Sequence, residues 1–384
     1  MHEPPRLLVV DDGDMNRDML ARRLVRLGYS VDTAVNGREA LEKLHGSEFD
    51  LVLLDIMMPE LDGYDTLAAM KADAALKHVP VVMVSAGSEI ESVVKCLELG
   101  ADDYLPKPFN PTILKARVTS SLDRKRLRDQ ERLLAQSMER ELEIGREIQA
   151  GFFPDALPTA AGYQLAAHFA PARQCSGDFY DAFETEVGTI GLVVADVCDK
   201  GVGAALFMAL FRSLLRAFAT QTAVEAAPRA RLESAVRLTN DYIAKEHGKA
   251  NMFATVFFGV LQPESGILLY VNGGHEAPLV VDAGGVVRRR LEPTGPAMGM
   301  LPQVPFTVGE ETLAPGELLY VFTDGVVEAK GEAGFFGEER LLPLVTAPGD
   351  SAQTVVTNVA AALAAHVGAL PRYDDVTMLA VKRA

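Results

Sequence analysis

The chain has 384 residues, of which 48% are apolar and 23% are charged, a composition typical of a soluble globular protein with two or three domains. Acidic residues outnumber basic ones by 53 to 37, giving a net charge of −16. This acidity argues against binding to nucleic acid or to anionic lipid, because both attract basic surfaces. We also expect no signal peptide and no membrane span, since residues 1–6 are polar and no uninterrupted apolar stretch reaches about 18–20 residues. Three scattered cysteines exclude a disulfide framework, so we expect the reducing cytoplasm.

In the first half, polar side chains follow four apolar runs that alternate with helix-like segments. The runs cover residues 7–10, 51–54, 81–84 and 104–106, and the polar residues after them are Asp11 with Asp12, Asp55, Ser85 and Lys107. This alternation predicts a doubly wound parallel sheet, in which strand ends meet at one crevice. Carboxylates gathered there would bind Mg²⁺, and an aspartate beside the ion, a lysine and a hydroxyl is suited to accept a phosphoryl group. Any one of these residues alone is equally compatible with an ordinary polar strand end.

The motifs DD, DIMMPELDG, SAG and KPF, over roughly residues 5–122, resemble the receiver domain of bacterial two-component response regulators. The resemblance implies a flavodoxin-like, five-stranded parallel sheet. It implies that Asp55 is phosphorylated by a sensor histidine kinase or a phosphotransfer protein. It also implies the following roles: Mg²⁺ binding by Asp11, Asp12 and Asp55, sensing of the phosphoryl group by Ser85 and Lys107, aromatic switching by Tyr104, and a cis Lys107–Pro108 bond. We therefore expect a receiver domain at residues 1–122.

Residues 123–150 carry dense charge of both signs and no proline, which predicts an exposed helical linker. Apolar residues recur without a strict heptad, at Leu127, Leu134, Met138, Leu142 and Ile148. The pattern fits either a single helical strut or a dimerising coiled coil. We expect a homodimer, with the strut as the alternative. Gly151 and Pro154 are expected to end the helix.

The remainder, residues 151–384, combines short apolar runs, turns and a few amphipathic segments. Strands are predicted at 163–169, 189–195, 254–261, 267–272, 279–282, 286–291, 318–322 and 376–380, and helices at 204–219, 231–246 and 352–366. Many strands joined by hairpin turns predict an α+β layered sandwich. No glycine-rich loop of the common nucleotide-binding kinds occurs.

Aspartates recur in four short motifs of this second domain, namely SGDFYD (176–181), ADV (195–197), TDG (323–325) and YDDVT (373–377). Several lie against apolar strands, where an unpaired carboxylate is costly. An aspartate cluster without histidine or cysteine favours Mg²⁺ or Mn²⁺ over zinc, and two such ions activate water for attack on phosphorus. The alternative is that these aspartates only form turns, because Asp-Gly is a common turn sequence.

These motifs, together with NGGHEAP and ADVCDKGVGAALFMA, resemble the metal-dependent serine/threonine phosphatases of the PPM family. The match is to the bacterial SpoIIE-type branch, which dephosphorylates anti-sigma-factor antagonists, and LEIGREIQAGFFP resembles the helix that switches this domain. The fold implied is a β-sandwich flanked by helices. The site residues implied are Asp196 bridging two Mn²⁺ or Mg²⁺ ions, the Val197 carbonyl, and Asp178, Asp324 and Asp374, with Asp196 and Asp324 essential for catalysis and Asp181 and Asp375 as further candidates.

The sequence departs from the family pattern at three positions that are not metal ligands. Ser176 replaces a glycine, and Cys198-Asp199 replaces Ser-Gly. The histidine that acts as general acid in eukaryotic relatives is absent, with Cys198 in its place. Arg173 is a candidate for binding substrate phosphate, or an ordinary surface arginine. His275 is expected to form a structural turn rather than to act as a catalyst.

The sequence thus predicts a cytoplasmic response regulator whose output is a Mn²⁺- or Mg²⁺-dependent phosphoserine/phosphothreonine phosphatase. Its expected substrate is a phosphorylated STAS-type anti-sigma-factor antagonist, an expectation that depends on the resemblance alone. One alternative is a catalytically weak scaffold that docks a partner. Another is an anti-sigma or DNA-binding regulator, which lacks support because no kinase-like ATP motif or basic recognition helix occurs.

Overall fold

The computed structural model describes residues 4–85, 90–185, 188–221, 227–349 and 351–384. The chain divides into two compact units, Met1–Met138 and Glu139–Ala384. One long helix, α5, contributes residues to both units.

The first unit alternates strands and helices, as its sequence predicts. Its elements are β1 (Arg6–Val10), α1 (Asp14–Arg26), β2 (Ser30–Ala34), α2 (Gly37–Gly46), β3 (Leu51–Asp55), α3 (Gly63–Ala72), β4 (Val81–Ser85), α4 (Ile90–Glu98), β5 (Asp103–Pro106) and α5 (Pro111–Ala150). All strand pairings are parallel, in the order β2-β1-β3-β4-β5. The strand order reverses between β1 and β3, so the carboxyl ends of these two strands form the crevice where such sheets bind ligands.

Two apolar clusters, one on each side of this sheet, form the core of the first unit. Leu8, Val52 and Met83 belong to one cluster, and Leu7 and Leu53 belong to the other. Successive side chains of a strand point to opposite faces, so a continuous apolar run fills both clusters at once.

The second unit contains twelve strands, five helices besides the end of α5, and one short 3₁₀ turn in the described residues. They are β6 (Tyr163–Ala170), β7 (Phe179–Glu184), β8 (Ile190–Val197), α6 (Val202–Gln221), α7 (Pro228–Glu246), the 3₁₀ turn (Gly248–Ala250), β9 (Ala254–Gln262), β10 (Ile267–Gly273), β11 (Leu279–Val281), β12 (Val287–Arg290), β13 (Gly309–Thr312), β14 (Leu318–Phe322), α8 (Asp324–Val327), β15 (Lys330–Gly331), β16 (Gly334–Phe335), α9 (Glu338–Val345), α10 (Ala352–Val367) and β17 (Val376–Arg383).

Two antiparallel sheets form the centre of this unit, in the orders β13-β10-β9-β8-β7 and β12-β11-β14-β17-β6. Their facing side chains share one buried cluster that includes Val194, Phe257, Leu319 and Leu379. Helices α6 and α7 pack on the first sheet, and α9 and α10 pack on the second. The result is the predicted sandwich flanked by helices.

Helix α6 is long and apolar enough to cross a membrane by length and composition alone. One face of the helix packs in the core through Met208, Phe211 and Leu215. Arg212 and Arg216 of the same helix form ion pairs with the buried Asp181. Through these contacts one face of α6 packs against the core of the second unit.

Candidate functional sites

Three carboxylates meet at the crevice of the first unit. Asp11 and Asp12 follow β1 and Asp55 ends β3, which is the neighbouring strand. One oxygen from each of the three lies within 4.8 Å of the others. Asp11 and Asp55 are buried, whereas Asp12 is exposed. Oxygen ligands in a compact group are what Mg²⁺ requires, so these residues could hold the ion.

Lys107 joins two of these carboxylates. Its Nζ donates to Asp55 Oδ2 at 2.7 Å and to Asp11 Oδ2 at 2.8 Å. Burial raises the pKa of Asp55, and the bond from Lys107 partly offsets that effect. Burial would lower the pKa of Lys107, but its bonds to both carboxylates raise the pKa above its ordinary value. The Lys107–Pro108 bond is cis, as the family resemblance implies.

The two other predicted switch residues lie on β4 and β5, the next two strands after β3 in the sheet. Ser85 ends β4, and its carbonyl accepts a hydrogen bond from Lys107 N at 2.7 Å. Tyr104 lies in β5, half-buried and opposite Met83 of β4. The rest of the SAG motif, residues 86 and 87, lies outside the described residues. Sensing by Ser85 and Tyr104 therefore stays a prediction.

Close packing against β3 explains why the residue after Asp62 in the DIMMPELDG motif, Gly63, is a glycine. A Cβ at this position would lie 2.2 Å from the carbonyl oxygen of Asp55. Gly63 N also donates to Ile56 O at 2.9 Å. Helix α3 can therefore begin directly against the strand end that carries Asp55 only if this residue has no side chain.

In the second unit, the predicted ligand Asp178 is held by two threonines. Asp178 Oδ2 accepts from Thr323 Oγ1 at 2.7 Å and from Thr377 Oγ1 at 2.8 Å. All three side chains are buried. Burial raises the pKa of Asp178, and the nearby Asp196 and Asp375 add to this effect. Sequence reasoning missed both threonines, although both lie in the predicted motifs. Thr323 immediately precedes Asp324 in TDG, and Thr377 follows Asp375 by two residues in YDDVT.

Asp196, Asp324 and Asp374 come from β8, from the start of α8 and from the loop before β17. Burial, followed by repulsion from Asp324, raises the pKa of Asp196 to about 7. Burial, followed by repulsion from Asp374, raises the pKa of Asp324 to about 6. The tertiary structure thus brings these carboxylates close enough to disfavour each other's charge, although they are up to 178 residues apart in the printed sequence.

The Val197 carbonyl also lies beside the Asp178 motif. A Cβ at Gly177 would be 2.7 Å from Val197 O, so only glycine allows this approach. Gly325 is likewise packed against an aspartate-bearing segment, because a Cβ at this position would lie 1.8 Å from Asp375 O. Both glycines let the aspartate-bearing segments approach one another at backbone distance.

The candidate ligand carboxylates of the second unit are less compact than those of the first unit. Within the part of the chain that the structure describes, the group of three carboxylates within 4.8 Å is Asp11, Asp12 and Asp55. Lys200 Nζ lies 2.8 Å from Asp374 Oδ2 and so supplies one positive charge to the cluster. A divalent cation bound by Asp374 would therefore compete with Lys200.

The further candidates Asp375 and Asp181 both have partners within the fold. Asp375 accepts from Ala172 N at 2.6 Å, Ser176 Oγ at 2.6 Å and Gly177 N at 3.2 Å. These bonds hold the loop before Asp178 in place. Asp181 forms ion pairs with two arginines of α6, as described above.

The last turn of α5 is bonded directly to this same loop. Gln149 Nε2 donates to Ser176 O at 2.7 Å, and Ser176 N donates to Gln149 Oε1 at 3.0 Å. Ser176 Oγ in turn accepts from Asp178 N at 3.0 Å. Sequence reasoning identified the stretch that contains Gln149 but not this contact. The end of the linker helix is thus two hydrogen bonds away from a candidate metal ligand.

One departure from the family pattern, Asp199, and the candidates His275 and Arg173 have distinct environments. Asp199 has a φ of +72°, a left-handed conformation that favours the glycine usual in the family. Burial lowers the pKa of His275 to about 4, so its ring is neutral at pH 7, and Nδ1 lies 2.9 Å from Thr255 Oγ1. Arg173 is exposed and forms no ion pair with the described carboxylates, consistent with either role considered for it.

Comparison with known proteins finds a matching family for each of the two units. The family model for Stage II sporulation protein E (SpoIIE) matches residues 186–384, and that for the response regulator receiver domain matches residues 7–119. Protein IcfG of Synechocystis sp. is 43% identical over 263 aligned positions, and the match covers 63% of this chain and 41% of that protein. The probable transcriptional regulator ycf27 of Cyanidium caldarium is 46% identical over 118 residues, which are 31% of this chain and 46% of that protein.

The SiaA-PP2C domain of Pseudomonas aeruginosa shares the fold of the second unit, at 22% identity and a TM-score of 0.52, covering 65% of this chain and 98% of that one. The chain spans less than half the length of the two curated relatives above. The match to the SpoIIE model covers more than half of the chain. The chain therefore belongs to the SpoIIE family of PPM-type protein phosphatases and carries a response-regulator receiver domain ahead of the phosphatase domain.

Proposed function

We propose that the chain is a two-component response regulator whose output is a Mn²⁺- or Mg²⁺-dependent phosphoserine/phosphothreonine protein phosphatase. In this proposal residues 1–122 are the receiver, 123–150 the helical linker and 151–384 the phosphatase. The observation that carries it is the cluster of buried carboxylates, in which burial, and after it mutual repulsion, raises the pKa of Asp196 to about 7 and of Asp324 to about 6. Such a cluster is stable in its charged form only with cations between its members.

The donor set of the phosphatase site fits two hard divalent cations. The residues that would hold them are Asp178, Asp196, Asp324, Asp374 and the carbonyl of Val197. All of these donors are oxygens, which Mg²⁺ and Mn²⁺ prefer. When bound, the cations supply Lewis-acid activation of a water molecule and neutralise charge on the phosphoryl group.

The protein's own side chains prepare this site. Thr323 and Thr377 fix one oxygen of Asp178, which leaves its other oxygen available as a ligand. Lys200 orients Asp374 through their 2.8 Å contact. Arg173 is proposed to bind the substrate phosphate through a bidentate contact. It precedes Asp178 by five residues, and its guanidinium pairs with no described carboxylate.

Control is proposed to start at Asp55. A histidine kinase or phosphotransfer protein would supply the phosphoryl group, with Mg²⁺ held by Asp11, Asp12 and Asp55. Lys107 neutralises charge on the phosphoryl oxygens, since it already contacts Asp55 at 2.7 Å. Phosphorylation adds about −1.5 to −2 charges, enough to change which partners Lys107 and Ser85 prefer.

The signal is proposed to reach the phosphatase through α5. This helix runs unbroken from Pro111 to Ala150, and its last turn holds the Asp178 loop through Gln149. Apolar side chains on the helix are exposed, namely Leu127, Leu133, Leu134, Met138, Ile144 and Ile148. We propose that they pair with a second copy of the chain in a homodimeric coiled coil. A change in that pairing would shift Gln149 and thereby Asp178.

The proposed substrate is a phosphorylated STAS-type anti-sigma-factor antagonist, and the proposed compartment is the cytoplasm. The test measures phosphate release from phosphorylated candidate antagonists with Mn²⁺, with Mg²⁺ and with excess chelator, each with and without a small phosphodonor. We expect hydrolysis that requires the metal and a rate that the phosphodonor changes in the wild type but not in Asp55→Asn. Hydrolysis that survives exhaustive chelation would contradict the proposed metal dependence.

A second candidate function is a catalytically weak scaffold that docks a partner in the same pathway. The Lys200–Asp374 pair favours it, because that ammonium already neutralises part of the carboxylate cluster. Calorimetric titration with Mn²⁺ separates the two functions. Binding of two ions with restored hydrolysis supports the phosphatase, whereas an absence of binding supports the scaffold.

A further inference from the structure

An exposed aromatic and cationic surface borders the candidate phosphatase site. We define the Tyr373 rim as Lys330, Phe335, Arg372 and Tyr373. Tyr373 immediately precedes the candidate ligand Asp374 in the chain. Lys330 and Phe335 come from the small β15–β16 hairpin. The rim is therefore built from two segments that meet next to the carboxylate cluster.

Three members of the rim lie close together around the ring of Tyr373. The ring centroid lies 5.8 Å from Lys330 Nζ and 6.2 Å from the ring of Phe335. Lys200 Nζ lies 5.3 Å from the same centroid. Both aromatic side chains are about half exposed, at 51% for Tyr373 and 53% for Phe335. Exposed aromatic groups flanked by cations are enriched at recognition surfaces.

Two positive charges of the rim are not neutralised by the protein's described carboxylates. Neither Lys330 nor Arg372 forms an ion pair with them, and Arg372 Nη1 reaches only Pro171 O, at 3.5 Å. Lys200, by contrast, is paired with Asp374. In a chain with a net charge of −16, unpaired cations concentrated beside the site attract an acidic ligand.

A cavity of about 160 Å³ is lined by members of both the rim and the site. Arg372 and Tyr373 of the rim line it together with the candidate ligand Asp374. An extended peptide whose phosphorylated residue is at the carboxylate cluster would therefore place neighbouring residues over this cavity and the rim.

We propose that the Tyr373 rim is a docking subsite for acidic residues that flank the phosphorylated residue of the protein substrate. This inference rests on the proposed phosphatase function and adds a substrate preference to it. Acidic side chains pair with Lys330 and Arg372, while the rings of Tyr373 and Phe335 cover the peptide backbone.

The test uses the full-length protein with Mn²⁺ and the variants Lys330→Glu, Arg372→Glu and their combination. Lys249→Glu, an exposed lysine far along the chain from the rim, is the matched control. Three phosphoserine peptides differ only in acidic, neutral or basic flanking residues, and p-nitrophenyl phosphate reports the chemistry alone. Fluorescence anisotropy measures binding of the same peptides in parallel, so the rim is tested even if hydrolysis fails.

We expect the wild type to prefer the acidic peptide by about tenfold in kcat/KM and in affinity, and less so at high salt. Each single reversal should reduce this preference about two- to fivefold, and the double reversal should favour the basic peptide. Turnover of p-nitrophenyl phosphate should be unchanged in all variants, and Lys249→Glu should behave as wild type.

Equal binding and turnover of the three peptides by the wild type would overturn the inference. A loss of p-nitrophenyl phosphate turnover in Lys330→Glu without a change in peptide preference would also overturn it, because the rim would then be structural. Failure of the wild type to hydrolyse any substrate would contradict the proposed function, while an acidic preference in binding would still support the rim.

Discussion

Replacing Asp196 with asparagine is expected to abolish phosphatase activity and yet stabilise the metal-free protein at pH 8. Burial, with repulsion from Asp324, Asp374 and Asp375, raises the pKa of the Asp196 carboxyl from 3.8 to about 7. An acid with a higher pKa in the folded state stabilises the fold while it is protonated. That stability is fully present below pH 3.8 and is lost as the pH rises through about 7.

The size of the effect follows from the shift of about three pKa units, each equivalent to about 1.4 kcal/mol. At pH 8 without metal, the asparagine variant should exceed the wild type by up to about 4 kcal/mol in free energy of unfolding. Loss of the hydrogen bond between Asp196 and Asp178 reduces this value. At pH 5 the wild-type carboxyl is protonated in the fold, so the difference should fall to about 2 kcal/mol.

The assay is thermal and denaturant unfolding in excess chelator at pH 5 and pH 8. The stability is taken from the unfolding transition whose midpoint Mn²⁺ shifts. Asp155→Asn, an exposed aspartate of the same unit, is the control and should change little. Addition of Mn²⁺ should reverse the order, because only the wild type keeps the full ligand set. A metal-free Asp196→Asn protein that is less stable than wild type at pH 8, or equally stabilised at both pH values, would refute this reasoning.

Four further perturbations test other parts of the molecule. Asp55→Asn should take up no phosphoryl group from a small phosphodonor with Mg²⁺, as read by intact mass, and undiminished uptake would contradict the receiver assignment. Asp199→Gly should raise the stability by about 1 kcal/mol because φ is +72° there, and a lower melting temperature would show that the Asp199 Oδ1–Lys200 N bond outweighs the strain. Gln149→Met leaves the buried N–H and C=O of Ser176 unpaired and should lower the free energy of unfolding by about 2–4 kcal/mol. The control Glu147→Ala, on the exposed face of the helix, should lower it by almost nothing. Equal losses of stability in the two variants would show that the Gln149–Ser176 contact is unimportant. Inserting four residues after Gln136 turns the two parts of α5 by about 40° and should uncouple Asp55 phosphorylation from phosphatase rate without changing basal hydrolysis, so intact regulation would show a passive linker.

Four of the five strands of the first unit were predictable from their apolar runs, because their geometry is local and periodic, whereas β2 (Ser30–Ala34) was not among the predicted runs. Apolar runs of four or five residues become parallel strands, and the residue after each run must lie at the same edge of the sheet. Asp11, Asp55 and Lys107 therefore meet as expected, with Lys107 within 2.8 Å of both carboxylates. The end of α5 at Ala150, just before Gly151, follows the same kind of local signal.

The sequence of the second unit predicted its layers but missed some of its strands. Strand β7 (Phe179–Glu184) was not predicted, because Asp181 interrupts its apolar pattern. Only the folded chain shows that Arg212 and Arg216 neutralise that buried aspartate.

By itself the sequence determined the fold class, the acidic motifs and the family to which they belong. Only the tertiary structure decided which side chains hold those motifs in place. Thr323 and Thr377 reach Asp178 across 145 and 199 residues of chain, and Gln149 reaches Ser176 from the end of the linker helix. Contacts of this kind depend on how antiparallel strands from distant segments align and on where α5 packs. No local pattern of hydrophobicity or propensity encodes these alignments, which is the physical reason that the fold was needed to find them.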